Sequence, residues 1–156
     1  LKTMSPAYFT ALGTQSSAAT IPVTLKQAQK TGASDKVTNF TIPLFATIHL
    51  SGSTITLVSC SIGVLLINGQ DILLSTFIPF IFMLGVTMIA APGVPGGAVM
   101  AALGLLETML GFNGAMIGLM IALYIAQDSF GTATNVTGDG ALAIIVDKFS
   151  RSEKVS

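Results

Sequence analysis

Residues 128–139 read Asp-Ser-Phe-Gly-Thr-Ala-Thr-Asn-Val-Thr-Gly-Asp and lie inside an otherwise apolar segment, 115–146. An acidic side chain at the centre of a membrane-spanning helix is unfavourable by about 2.5–3.5 kcal/mol, so it usually faces a protein interior or a water-filled cavity and handles ions or substrate. In one helix, four polar side chains of this stretch fall at i, i+4, i+7 and i+11, on a single face. We call these four the polar stripe: Asp128, Thr132, Asn135 and Asp139.

The composition indicates a membrane protein. Of the 156 residues, 51% are hydrophobic and only 9% are charged, whereas a soluble domain has about 25% charged residues. Mean hydropathy is +0.79, and the formal net charge of zero argues against a nucleic-acid partner. Four charged side chains, all acidic, lie between Lys36 and Asp147: Asp71, Glu107, Asp128 and Asp139.

Cys60 is the only cysteine, which excludes an internal disulfide. Its flanks are largely apolar, so we expect a small buried hydrophobic residue. The chain starts with Leu-Lys-Thr, and its first apolar segment is short and amphipathic. We therefore expect no signal peptide and interpret the chain as part of a longer protein.

Two segments are broken in the same way. In 1–34, the short apolar runs 7–12 and 21–28 flank a tip of small polar residues, and in 69–112 the runs 72–89 and 98–110 flank a tip rich in proline and glycine. Irregular backbone at membrane depth is tolerated only where protein or water covers it, so each segment predicts a re-entrant helical hairpin. Paired broken segments indicate the binding site of a transporter. A loop between two amphipathic helices is the alternative for 1–34.

Two further segments are predicted to span the membrane. The stretch 41–68, within the segment 35–68, exceeds the roughly 20 residues that a span needs, but a polar patch at 47–54 interrupts it. This patch predicts locally unwound backbone that lines a cavity. The last span is predicted at 113–148, followed by a cytoplasmic tail, 149–156.

The basic residues predict the orientation. They lie near the base of the first hairpin and in the tail, whereas the turns 68–71 and 111–114 have none. The positive-inside rule places the basic regions in the cytoplasm. The interrupted span then runs outward, the second hairpin enters from outside and the last span returns.

Three motifs occur in an order and spacing that resemble a known family. They are Ser-Ser-Ala-Ala-Thr-Ile-Pro-Val-Thr at 16–24, Gly-Val-Pro-Gly at 93–96 and Asn-Val-Thr-Gly-Asp at 135–139. Nearly the whole chain resembles the C-terminal half of the dicarboxylate/amino acid:cation symporters, the glutamate-transporter homologues. The resemblance implies an all-α membrane protein: two re-entrant hairpins and two spanning helices, one interrupted, forming an elevator-type transport core. It also implies that the N-terminal scaffold spans lie outside this chain and that the full-length protein is a homotrimer in the inner (plasma) membrane.

The resemblance further implies the binding residues. The Ser17 N–H and the Asn135 side chain would bind the α-carboxylate of an amino acid, and Asp128 its amino group. Gly96 would lie at the gate formed by the second tip. The substrate-binding set is Ser16, Ser17, Ser53, Gly96, Asp128, Gly131, Thr132 and Asn135.

Two sodium sites are implied in the same way. Asp139 would bind one ion together with backbone carbonyls, and a second site would use carbonyls around Thr47 and the second hairpin. Oxygen ligands suit a hard cation. The implied sodium ligands are Phe45, Thr47, His49, Met88, Ala91, Asn135 and Asp139.

Two departures from the family pattern alter the expected substrate and ions. Family members that carry acidic amino acids have an arginine where this chain has Gly131. The glycine removes that positive charge and leaves open space, so we expect a neutral and bulky substrate. The sequence around Gly131 resembles the cystine-uptake branch, and a serine/threonine or dicarboxylate carrier is the alternative. The family's Asn-Met-Asp-Gly-Thr is His-Leu-Ser-Gly-Ser at 49–53. A further sodium site is therefore in question, and His49 either binds a coupled proton or is a neutral ring bonded to a backbone carbonyl.

Two other classes of membrane protein, an intramembrane protease and a channel or structural subunit, fit the sequence less well. An intramembrane aspartyl protease needs two carboxylates that share a proton, but eleven helical residues separate Asp128 and Asp139 by about 16 Å. A channel or structural subunit would explain the hydrophobicity, but not one acid suited to an amine and another suited to an ion. We therefore expect a sodium-coupled symporter, working by alternating access, and not an enzyme.

Overall fold

The computed structural model describes residues 2–152, and in this range the regular structure is entirely helical. A short 3₁₀ turn, Lys2–Met4, precedes the first helix. The α-helices are α1 Ser5–Thr14, α2 Ser17–Gln29, α3 Asp35–Ile48, α4 Ser51–Ile67, α5 Leu74–Met88, α6 Gly97–Leu110 and α7 Gly114–Ser152.

Two helix pairs, α1 with α2 and α5 with α6, each pack together around a short connection. The first connection is Gln15 and Ser16. Gln15 has a left-handed φ of 51°, and the Ser16 hydroxyl oxygen accepts the Ala19 N–H at 3.1 Å, which caps the start of α2. The second connection, 89–96, ends at Gly96, whose φ of 71° suits glycine.

The helix formed by α3 and α4 is interrupted at His49 and Leu50, within the polar patch. Gly52 lies directly after the break. A Cβ at this position would collide with the carbonyl oxygen of Gly131 and lie 2.7 Å from the Cβ of Thr134. The absence of a side chain therefore lets the start of α4 pack closely against α7.

The longest helix, α7, packs against α1, α2, α3, α4 and α6 and is the central element of the fold. The largest apolar core lies among α4, α5, α6 and α7 and includes Leu57, Phe80, Leu106 and Tyr124. Cys60 is buried in it as a free thiol, as predicted. The two stretches of helix that are long and apolar enough to cross a membrane are Asp35–Ile67, which contains the break, and Gly114–Arg151.

The end of α7 is tied to the connection between α2 and α3. The buried Asp147 carboxylate accepts the Ser34 N–H at 3.1 Å and the Ser34 hydroxyl at 2.5 Å. Arg151 forms an ion pair with Asp147 at 2.7 Å and donates to the Gly32 carbonyl at 3.1 Å. These contacts accompany a helix that continues past the predicted boundary at residue 148, to Ser152. Residues 153–156 of the predicted tail lie outside the described residues.

Replacing Asp147 by alanine should lower the thermal unfolding midpoint of the full-length protein in detergent. The change removes the acceptor of both Ser34 bonds and leaves Arg151 without its ion-pair partner. Asp71→Ala, in the exposed turn before α5, is the matched control and should leave the midpoint unchanged. Equal midpoints for the two variants would show that the contact contributes nothing to stability.

Candidate functional site

The four members of the polar stripe are all buried on α7. Asp128, Thr132, Asn135 and Asp139 are 3, 3, 1 and 0% exposed. Two of them, Asp128 and Asn135, accept backbone N–H groups from other elements. A buried carboxylate or amide is unfavourable without such partners. The polar stripe therefore explains why the tips and the broken helix converge on this face.

Asp128 holds the second tip. Its Oδ2 accepts the Gly96 N–H at 2.7 Å, in a buried hydrogen bond between residues 32 positions apart. A bond to an ionised carboxylate is about twice as strong as one between neutral groups. The start of α6 is thus held against the middle of α7.

The two tips are bonded directly to each other. The Ser16 hydroxyl donates to the Gly93 carbonyl at 2.8 Å, and the Ala18 N–H donates to the same oxygen at 3.1 Å. Gly93 also packs closely on α3, because a Cβ there would collide with the Ala46 carbonyl oxygen. The tips therefore form a closed cover over the polar stripe.

Asn135 joins α7 to the start of α4. Its Oδ1 accepts the Gly52 N–H at 2.7 Å and the Ser53 N–H at 3.4 Å, and its Nδ2 donates to the Ser53 hydroxyl at 2.9 Å. The first N–H groups of a helix have no partner within the helix. Asn135 supplies that partner at the break in the α3–α4 pair.

A small cavity lies under the tips, with a volume of about 10 Å³. This is roughly the space for one water molecule, so a larger molecule does not fit unless the elements around the cavity move. Of the predicted substrate residues, five line the cavity: Ser17, Ser53, Asp128, Thr132 and Asn135. Gln15 and Tyr124 also line it and were not predicted. Tyr124 lies four residues before Asp128, and this helical spacing is the sequence signal that could have found it. Gln15 is distinguished by its left-handed backbone, which only the structure shows.

Gly131 is not among the residues that line this cavity. The open space predicted there is wrong, because an added Cβ would lie 3.2 Å from both the Ser53 nitrogen and the Thr56 Oγ1. The glycine instead allows α4 and α7 to pack closely. Ser16 and Gly96 are also absent from the cavity lining. Their hydrogen bonds, to Gly93 and Asp128, hold the tips in place.

Asp139, the innermost acid, pairs with His49. The His49 Nδ1 lies 2.7 Å from the Asp139 Oδ1, so the predicted alternative of a ring bonded to a backbone carbonyl is wrong. The other oxygen, Oδ2, is buried and has no hydrogen-bond partner among the described residues. Gly138 admits the ring, since a Cβ there would lie 2.5 Å from the His49 Cε1.

The other predicted sodium ligands already take part in local backbone bonds. The Phe45 carbonyl accepts the His49 N–H at 2.9 Å, and the Met88 carbonyl accepts the Ala91 N–H at 3.2 Å. The exposed Thr47 hydroxyl donates to the backbone carbonyl of Leu44 at 2.8 Å. Over residues 2–152, no three His, Cys, Asp or Glu side chains cluster as a potential metal site.

A much larger cavity, about 860 Å³, is lined in part by His49. Its lining also includes Tyr8, Lys30, Ser51 and Thr137 but no member of the polar stripe. The small cavity is the stronger candidate for substrate binding, because the buried polar groups converge there.

Most of the chain is similar to known proteins of one family. The sequence model of the sodium:dicarboxylate symporter family matches residues 1–149. The chain is 34% identical over 148 residues to excitatory amino acid transporter 1 of both Ambystoma tigrinum and Homo sapiens, which covers 94% of this chain and 27% of each relative. It is 31% identical over 151 residues to excitatory amino acid transporter 3 of Mus musculus, covering 96% of this chain and 29% of that protein. The chain thus spans less than a third of the length of these relatives.

Gly138→Ala should destabilise the full-length protein by about 1–3 kcal/mol, the range for an overpacked interior. The added methyl forces the His49 ring away and breaks its bond to Asp139. Gly118→Ala on the same helix is the control, because a Cβ there meets nothing within 4 Å and helix propensity favours alanine. Thermal midpoints in detergent measure both changes. An equal or higher midpoint for Gly138→Ala would contradict the close packing of His49 on α7.

Proposed function

The chain belongs to the sodium:dicarboxylate symporter family, and we propose that it forms the substrate- and sodium-binding part of a sodium-coupled amino-acid symporter. The family consists of multi-pass plasma-membrane proteins, and its members are transporters rather than enzymes. The activity and the substrate belong to the whole protein, and the geometry of the site supports the proposal for both.

One observation carries the proposal: Asp128 is buried, and the Gly96 N–H at the second tip bonds its carboxylate. The ammonium group of an amino acid is a stronger partner for a carboxylate than a neutral N–H. When the substrate takes this place, Asp128 releases the tip or bonds both groups. Substrate binding and movement of the tip are then coupled through one side chain.

The carboxylate of the substrate needs donors on the opposite side. Ser17 is the first residue of the 13-residue helix α2, and the positive end of the helix dipole favours an anion. Asn135 lines the same cavity and presents both an amide donor and an acceptor. A zwitterion therefore has an anionic partner at Asp128 and donors at Ser17 and Asn135.

Sodium would bind deeper on α7, at Asp139. His49 occupies Oδ1, so Oδ2 is the oxygen left for an ion. Backbone carbonyls of Phe45, His49 and Asn135 would complete this site, since a hard cation prefers oxygen ligands. The second sodium would use the carbonyls near Thr47 and from Met88 to Ala91. The bond from His49 to Asp139 gives the ring a structural role, so sodium coupling alone is proposed.

For the substrate, we favour a neutral amino acid, with cystine as the first candidate and serine or threonine as the alternative. Among residues 2–152, Asp128 is the only charged side chain on the cavity lining, and no lysine or arginine of this range lines it. A side chain of net negative charge, as in glutamate, would have no opposite charge there, whereas the second carboxylate of cystine is accompanied by its own ammonium group. The relatives, which are named for excitatory amino acids, do not support this narrower choice.

The proposed cycle is alternating access. The helix pairs α1–α2 and α5–α6 would act as re-entrant hairpins whose tips close over substrate and sodium. The tip at 89–96 is the proposed gate, because its cover depends on a few hydrogen bonds, at Gly93 and at Gly96. The unit would then move across the membrane as one body, within a homotrimer of the full-length protein.

Asp128→Asn should lower uptake by the full-length protein in proteoliposomes by at least tenfold. The change removes the negative charge that binds the amino group, and the loss of a charged hydrogen bond is worth about 1.5–3 kcal/mol. Radiolabelled cystine, serine and glutamate, each with and without a sodium gradient, form the substrate panel. Asp71→Asn, an exposed acid outside the site, should transport normally.

The substrate panel distinguishes a neutral substrate from glutamate, and a symporter from a channel. Saturable, sodium-driven uptake of cystine or serine without glutamate supports a neutral substrate. Efficient glutamate uptake would contradict that choice and keep the symporter. Non-saturable flux without a sodium requirement would indicate a channel and overturn the proposed function.

A further inference from the structure

Tyr124 is a buried polar residue to which the proposed function gives no role. It lies four residues before Asp128, which extends the polar stripe by one helical turn. Its side chain is 0% exposed. Its hydroxyl and the Asp139 Oδ2 are the two buried side-chain polar atoms that have no hydrogen-bond partner within residues 2–152.

The Tyr124 hydroxyl belongs to the small cavity. Tyr124 lines it together with Ser53 and Asp128. These two side chains are near enough to the hydroxyl to interact with it, but the hydroxyl forms no hydrogen bond in this arrangement. Buried hydroxyl groups in folded proteins nearly always have a partner, and an exception calls for an explanation. Two buried atoms on this face thus have no partner within residues 2–152. They are the Asp139 Oδ2, an oxygen suited to a cation, and the Tyr124 hydroxyl, which belongs to the small cavity.

We propose that Tyr124 is a specificity-determining residue whose hydroxyl forms a hydrogen bond with an uncharged polar group in the substrate's side chain. The inference rests on the proposed function, because it needs Asp128 to bind the amino group, and within that function it favours serine or threonine over cystine, whose distal polar groups are charged. Tyr124 lies on the side of Asp128 opposite to Asn135, the proposed carboxylate ligand. We place the side chain of a substrate held by those two residues on the Tyr124 side of the cavity, because the hydroxyl there has no partner.

The chemistry of the phenol defines the preferred class of substrate. It is neutral, and its oxygen both donates and accepts a hydrogen bond. Hydroxyl and amide groups satisfy both capacities, whereas an aliphatic side chain leaves the hydroxyl buried without a partner. A site built around such a group discriminates strongly against the analogue that lacks the polar atom. We therefore expect a preference for polar over apolar side chains of equal size.

The test compares matched amino acids on the purified full-length protein in sodium buffer. Dissociation constants for serine and alanine, threonine and valine, and asparagine and leucine are measured by the ligand-induced shift in thermal unfolding. In the wild type, at least one polar member should bind about tenfold more tightly than its apolar partner. Tyr124→Phe should abolish that difference and leave the affinity for the apolar member unchanged.

Tyr8→Phe is the control, since Tyr8 is the other tyrosine of the chain and lies outside the small cavity. It should keep the wild-type preference. The thermal midpoint of ligand-free Tyr124→Phe should stay at or above that of the wild type, because the change removes an unpartnered hydroxyl and keeps the ring.

Three results would overturn the role of Tyr124. They are a wild type with no polar preference in any pair, a preference that survives in Tyr124→Phe, and equal losses for both members of a pair, which would mean that the hydroxyl only positions Asp128. Failure of the proposed function is distinct, because then neither cystine nor any member of these pairs would shift the unfolding of the wild type in sodium.

Discussion

A carboxylate buried on an apolar helix needs a partner, and Asp128 obtains one from the Gly96 N–H. This bond draws the tip of the second helix pair onto α7. The same tip presents the Gly93 carbonyl to Ser16 and Ala18, so the first helix pair closes at the same point. The closed arrangement around the polar stripe thus depends on satisfying buried polar groups.

The constraint also links binding to movement. A bond that exists because Asp128 needs a partner becomes replaceable when an ammonium group arrives. Asn135 and Asp139 show the same pattern. The first turn of α4 bonds Asn135, and the ring of His49 bonds Asp139. We therefore propose that a ligand bound at the polar stripe replaces hydrogen bonds to the elements that cover it, and so changes how these elements are held.

Close packing at three glycines makes these contacts reachable. Gly52 brings α4 onto α7, Gly93 brings the second tip onto α3, and Gly138 admits the His49 ring. In each case a Cβ would meet another group at less than contact distance. The glycines near the site thus serve close approach, and Gly131 does the same where the sequence suggested open space for a substrate.

The sequence by itself determined the membrane class and the shared face of Asp128, Thr132, Asn135 and Asp139, because hydropathy and helical periodicity are local properties. The family followed from the resemblance of three motifs, at 16–24, 93–96 and 135–139. The buried state of Cys60 followed in the same way. Only the tertiary structure decided that His49 bonds Asp139, that Gly131 lies against α4, and that Gln15 and Tyr124 line the cavity. These facts depend on distances between segments that are far apart in the chain, and the spacing of residues along one helix does not encode such distances.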